Sequence, residues 1–138
     1  MIQKGGAAVD WMFRSDLPIY SQLVSQMTQA ILSGEFAPGA RLPAVRELAA
    51  QAGVNPNTMQ RAMAELEQSG LIYSQRTSGR FVTDDESVIG EARRRLARQQ
   101  VDAFWDAMDR LGYDRAGALQ LLTEQEEKRR ITDGTSGV

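Results

Sequence analysis

Neither cysteine nor histidine occurs in the 138 residues of this chain. Without them there is no disulfide, no thiolate nucleophile and no imidazole acid or base, and nearly every zinc, haem or iron–sulfur site is excluded. Most enzyme classes go with them, and no metal, cofactor or catalytic residue is expected. A long apolar run is missing too. The longest uncharged stretch, Leu17 to Gly34, is broken throughout by Ser, Gln and Thr and is not expected to cross a membrane. Lys4 is followed by no apolar segment of useful length, so a secretory signal is not expected and the default location is a reducing cytoplasm. What remains is 42% hydrophobic and 25% charged, the composition of an ordinary soluble globular protein. The length accommodates one domain and a small appendage.

A net charge of −2 argues against indiscriminate coating of nucleic acid, but it averages two unlike parts. Residues 1–83 carry seven Lys and Arg against six Asp and Glu, whereas residues 84–138 carry nine against twelve. The first part is therefore the better candidate for an anionic partner. Within it, Leu48 to Ala64 contains Arg61 and no acid, and Ser69 to Thr83 contains Arg76 and Arg80 and no acid.

Residues 1–16 have no sustained period and include Gly5-Gly6, which reads as a loose N-terminal arm with Trp11 and Phe13 anchoring its end. From Pro18 on, Ile19, Leu23, Met27 and Ile31 recur every four positions and mark one face of a helix that Gly34 ends. Pro38-Gly39 is a turn, and Arg41-Leu42-Pro43 has room only for a brief extended piece. Val45, Leu48, Ala49 and Ala52 define a second, short helix closed by Gly53. Asn55-Pro56 then opens a third, Asn as the N-cap and Pro at the first helical position. Steps of 100° place Met59, Ala62, Met63 and Leu66 on one face and Asn57, Arg61, Ala64 and Gln68 on the other, flanked by Thr58 and Gln60. The methionines are expected in the core. After Gly70, Leu71-Ile72-Tyr73 and Phe81-Val82 are β-rich runs around Arg76-Thr77-Ser78-Gly79, a small hairpin. Two short helices around a Gly-containing turn, then a hairpin, follow the winged helix-turn-helix order.

Thr83-Asp84-Asp85-Glu86 has the spacing of a capping box, so a long helix is expected to start there and to run to Gly112. Asp114 caps a last helix containing Leu119 and Leu122. Glu91 with Arg95, Arg98 with Asp102 and Asp106 with Arg110 stand four apart, which predicts a solvated, ion-paired surface rather than a basic patch. The expected organisation is an arm over 1–16, a winged helix-turn-helix over 17–83, a two-helix region over 84–131 and a frayed tail over 132–138. The fold class is mostly α with one small β-hairpin.

The run Pro18-Ile19-Tyr20 to Ile31, Ser33-Gly34-Glu35-Phe36, Pro38-Gly39, Arg41-Leu42-Pro43, Arg46-Glu47-Leu48-Ala49 and Gly53-Val54 resembles the DNA-binding domain of GntR-type bacterial transcription regulators. The Asn55-Pro56-Asn57-Thr58 opening, with a C-terminal part of two helices containing Leu111-Gly112-Tyr113, is similar to the YtrA subfamily. The resemblance implies that Arg46, Asn57, Thr58, Gln60 and Arg61, and the wing from Arg76 through Gly79 to Arg80, meet double-stranded DNA. Elementary chemistry agrees: Asn and Gln pair with adenine and Arg with guanine, and a helix N-terminus offers free N–H groups to phosphate. Asn55 is first a cap, with DNA contact a lesser role. The chain departs from the family at Ala44, where many members place a capping Ser, and at Thr77, where many have a second wing glycine.

About fifty residues in two helices cannot enclose a ligand pocket of the usual ~300–1,000 Å³, so an effector would have to bind between subunits or domains. The apolar stripe of Ile89, Leu96, Phe104, Met108, Leu111, Leu119 and Leu122 needs cover, and a second copy of the chain is the economical partner. Twofold symmetry would then present two recognition helices to a palindromic operator. By analogy with the subfamily, the expected function is repression, often of a transporter operon. A winged-helix module that docks proteins without touching DNA is the alternative, favoured by the acidic charge balance. An enzyme is a poor third, because Asp and Glu residues stand four positions from arginines.

Overall fold

Caps and glycines divide the chain into seven elements in the computed structural model, which describes residues 9–136. In order they are α1 (Ile19–Leu32), α2 (Val45–Ala52), α3 (Pro56–Ser69), β1 (Ile72–Gln75), β2 (Gly79–Val82), α4 (Glu86–Leu111) and α5 (Arg115–Ser136). The fold is the expected one, mostly α with a single antiparallel hairpin. Helix α5 continues to Ser136, beyond the point where a frayed tail was expected, while residues 1–8 of the arm and 137–138 of the tail lie outside the described residues.

Two compact units share the chain, the first ending at Arg93 and the second starting at Arg94. In the first, α3 packs on α1, α2 and β1. Leu23 and Met27 of α1, Leu48 of α2, Met59 and Met63 of α3, and Val82 of β2 are wholly inaccessible. The methionine pair is core, as its spacing predicts. Ile19 is not, because the stripe of α1 meets the core only from Leu23 onward. Ala92 of α4 also belongs to this core and Val88 packs against it, so the unit reaches past residue 83 into the first turns of α4. Arg93 Nη2 donates to the Leu32 carbonyl at 3.2 Å, satisfying an otherwise open acceptor at the end of α1.

The described end of the arm, residues 9–16, is anchored through Trp11 and Phe13, as expected. Val9, Trp11 and Phe13 pack against the core, and the two rings stack 5.9 Å apart. Two glutamines of α1 then act as stand-in peptide groups. Gln26 accepts from the Met12 N–H at 3.1 Å and donates to the Met12 carbonyl at 2.6 Å. Gln22, buried, does the same for Arg14 at 2.7 and 2.8 Å.

At the start of α4 the expected Thr83–Glu86 box does not form. Asp85 caps instead, its carboxylate accepting from the Ser87 N–H at 3.0 Å and the Ser87 hydroxyl at 2.7 Å, which holds its pKa below the usual range. The Thr83 hydroxyl accepts from the Asp85 N–H at 3.1 Å, and the Thr83 N–H, which a box would offer to Glu86, donates instead to the Leu71 carbonyl at the end of the hairpin. The ion pairs expected on α4 are also absent. Among the described residues the pairs are Arg14–Asp16, Glu67–Arg80 and Glu126–Arg130.

In the second unit, Asp114 caps α5 as expected, accepting from the Gly117 N–H at 2.8 Å. The Arg115 guanidinium lies 4.6 Å from the Trp105 ring centroid, and Phe104 meets Trp105 edge-on. Among the described residues of α5 only Ala118 is buried. Leu111, Leu119 and Leu122 are 69%, 53% and 45% exposed, and Leu96, Phe104 and Met108 are half-buried. Ile89 departs from the expected stripe: at 7% exposure it is already buried in the single chain and offers nothing to a partner.

Candidate nucleic-acid interface

Helix α3 is set by its cap. The Asn55 side chain accepts from the Asn57 N–H at 2.7 Å, and Pro56, which has no N–H to satisfy, occupies the first helical position. Gly53, at φ +72°, turns the chain out of α2 in a left-handed conformation that suits glycine. With Met59, Ala62, Met63 and Leu66 facing inward, Asn57, Gln60, Arg61, Ala64 and Gln68 are left exposed and Thr58 half-buried. Arg46, on α2, is exposed as well. The outward face of α3 thus presents three amides, each with a donor and an acceptor, and one guanidinium, with no acid among Asn57, Gln60, Arg61, Ala64 and Gln68. Arg61 does not reach Glu65. Its guanidinium carbon lies 3.9 Å from the centroid of the Tyr20 ring.

Strands β1 and β2 pair from Ile72 with Val82 to Gln75 with Gly79, leaving Arg76, Thr77 and Ser78 as an exposed tip. The brief extended piece at 40–42 adds a third edge, the Leu42 N–H donating to the Arg80 carbonyl at 2.8 Å and the Val82 N–H to the Ala40 carbonyl at 2.9 Å. Arg41 therefore lies along the wing. Gly79 has φ +107°, a backbone conformation that favours glycine, and a Cβ there would stand 3.2 Å from Arg41 Nε, close enough that the arginine side chain would have to shift.

The two wing arginines differ. Arg76 is exposed and has no ion-pair partner among the described residues. Arg80 Nε donates to Glu67 Oε1 at 2.6 Å, with side chains only 23% and 31% exposed, and the Ser74 hydroxyl donates to the same oxygen at 2.9 Å. The Arg80 hydrogen bond, above all, holds the Glu67 carboxyl below its ordinary pKa. Arg80 thus ties β2 to α3, and its charge is largely spent before any ligand arrives.

Sequence reasoning did not single out Arg41, Glu67 or Tyr20. Arg41 and Tyr20 stand in the sequence only as members of the motifs that carry the resemblance, with no role attached, and Arg41 also in an extended piece beside a glycine-bearing hairpin. Glu67 and Tyr20 are 13 and 41 positions from their partners and leave no local signal.

Two short helices crossing at a glycine turn, an exposed polar face on the second and a cationic wing define a winged helix-turn-helix protein. Residues 19–82 match the family described as bacterial regulatory proteins, gntR family. The chain is 35% identical over 112 residues to the HTH-type transcriptional regulator YhcF of Bacillus subtilis, spanning 81% of this chain and 93% of that protein. It is 37% identical over 89 residues to the HTH-type transcriptional repressor YtrA of the same organism, 64% of this chain and 68% of the relative. A GntR family transcriptional regulator from Listeria monocytogenes superposes with a TM-score of 0.75 at 35% identity, covering 81% of this chain and 98% of the other. The chain belongs to the GntR family. It is a DNA-binding transcriptional regulator and not an enzyme, which sets aside the enzymatic and protein-docking alternatives.

Proposed function

We propose that the chain represses transcription as a homodimer on a palindromic operator in the cytoplasm, with α3 in the major groove of each half-site. The observation that carries this is the exposed, acid-free set of Asn57, Gln60 and Arg61 on a helix whose other face is locked into the core. Asn57, Thr58, Gln60 and Arg61 read bases in this scheme, while Arg46, Arg41 and Arg76 meet phosphate and Gly79 lets the wing approach. Asn55 serves as the cap, and Arg80 holds the wing to α3.

The repressor sign follows the similarity to YtrA, and a transporter operon is the kind of target that similarity suggests. Residues 84–131 supply the dimer through Leu96, Phe104, Met108, Leu111, Leu119 and Leu122. A small-molecule effector, if the cell uses one, binds between the subunits. Selection of duplexes from a randomised pool tests the reading directly: an inverted repeat with half-site centres about one helical turn apart, or a multiple of that, is expected. Enrichment of no sequence, or of a single half-site bound by one chain, would overturn it.

A further inference from the structure

We infer that Tyr20 is a positioning residue that holds the Arg61 guanidinium flat and so sharpens the base that Arg61 selects. The inference rests on the proposed role of α3. Tyr20 is the second residue of α1, half-buried and packed against the core, so its ring is a fixed platform. Arg61 projects from the exposed face of α3, and its guanidinium lies over that ring at 3.9 Å. Glu65 stands one turn further along α3, yet Arg61 forms no ion pair with any described residue.

The geometry divides the guanidinium's surfaces. Stacking occupies a face of the plane, whereas hydrogen bonds are made by the N–H groups on its rim. An arginine held this way keeps its fork free for the O6 and N7 of guanine. It also arrives at the groove with its rotamer already chosen, and less freedom is lost on pairing. An unstacked Arg61 would swing among rotamers and reach phosphates and other bases. The cost of losing Tyr20 should therefore fall on discrimination rather than on attraction to DNA.

The test uses the full chain and the operator it selects. Arg61→Ala first identifies the base pair at which discrimination is lost. Tyr20→Leu should then lower the preference for that pair over its substitutes by about tenfold, while affinity for a random duplex changes less than about twofold. Tyr20→Phe should behave as wild type, because it keeps the ring. In the double variant, Tyr20→Leu should add nothing to the loss from Arg61→Ala. If Tyr20→Leu folds poorly, Tyr20→Met serves the same purpose, removing the π face with less change of volume. Undiminished discrimination in both apolar variants would overturn the inference. So would an equal loss in Tyr20→Phe, which would point to a hydroxyl contact. A wild-type chain that selects no operator, or an Arg61→Ala variant that discriminates normally, would instead overturn the reading of α3 on which the inference stands.

Discussion

Arg76 and Arg80 stand four positions apart on one hairpin, yet they are not equivalent. A cation already paired with a carboxylate releases few counterions when it approaches DNA, so the two should separate in salt dependence. Arg76→Ala should reduce the slope of log affinity against log salt by about one, and Arg80→Ala by clearly less. Equal slopes would show that the Glu67 pair opens on binding. Arg61→Ala should lose about 1–3 kcal/mol on the operator and far less on random DNA, read as the ratio of the two affinities. The Glu67–Arg80 pair also predicts a pH dependence. The folded pKa of Glu67 lies below its ordinary value of 4.5, so its contribution is complete above that value and is lost as pH falls through the folded one. The melting temperature of wild type should therefore exceed that of Glu67→Gln at pH 7, and the gap should close on acidification. A gap independent of pH would refute the assignment.

Helix ends show where the sequence was legible and where it was not. Asn55-Pro56 reads as a helix start because one side chain and one ring act on the next two residues, and the structure has both in place. Asn55→Ala should cost about 1 kcal/mol in unfolding free energy, measured by denaturant titration. Helix α2 is the converse: it starts at Ala44 with no side-chain hydrogen bond, and Ala44→Ser should stabilise by about 0.5–2 kcal/mol in the same assay. The start of α4 was misread because Thr83 and Glu86 have the right spacing. Spacing cannot reveal that the Thr83 N–H is already taken by Leu71, twelve residues earlier. The same limit applies to the site. Amphipathic periodicity exposes the reading face of α3, but the partners of Arg61 and Arg80 are settled by how α1 and the hairpin lie against that helix, which no local pattern encodes.

At the scale of the molecule, the first unit has its own core and the second does not. A chain ending at Arg95 retains Val88, Ala92 and the Arg93 bond to α1, so it should stay folded and sediment as a monomer. Its affinity for the palindrome should fall by about 10²–10⁴, because the second half-site is no longer held at high effective concentration. A full-length chain that sediments as a monomer at micromolar concentration, or a truncated one that binds as tightly, would contradict the proposed dimer. Helix α5 buries a single described residue within its own chain, and in that dimer its stability becomes a matter of dose. Below the dissociation constant, paired chains accumulate as the square of the amount synthesised. A twofold drop in synthesis then lowers the dimer concentration about fourfold, and the occupancy of an unsaturated operator falls with it, so the regulator acts as a steep gauge of its own supply.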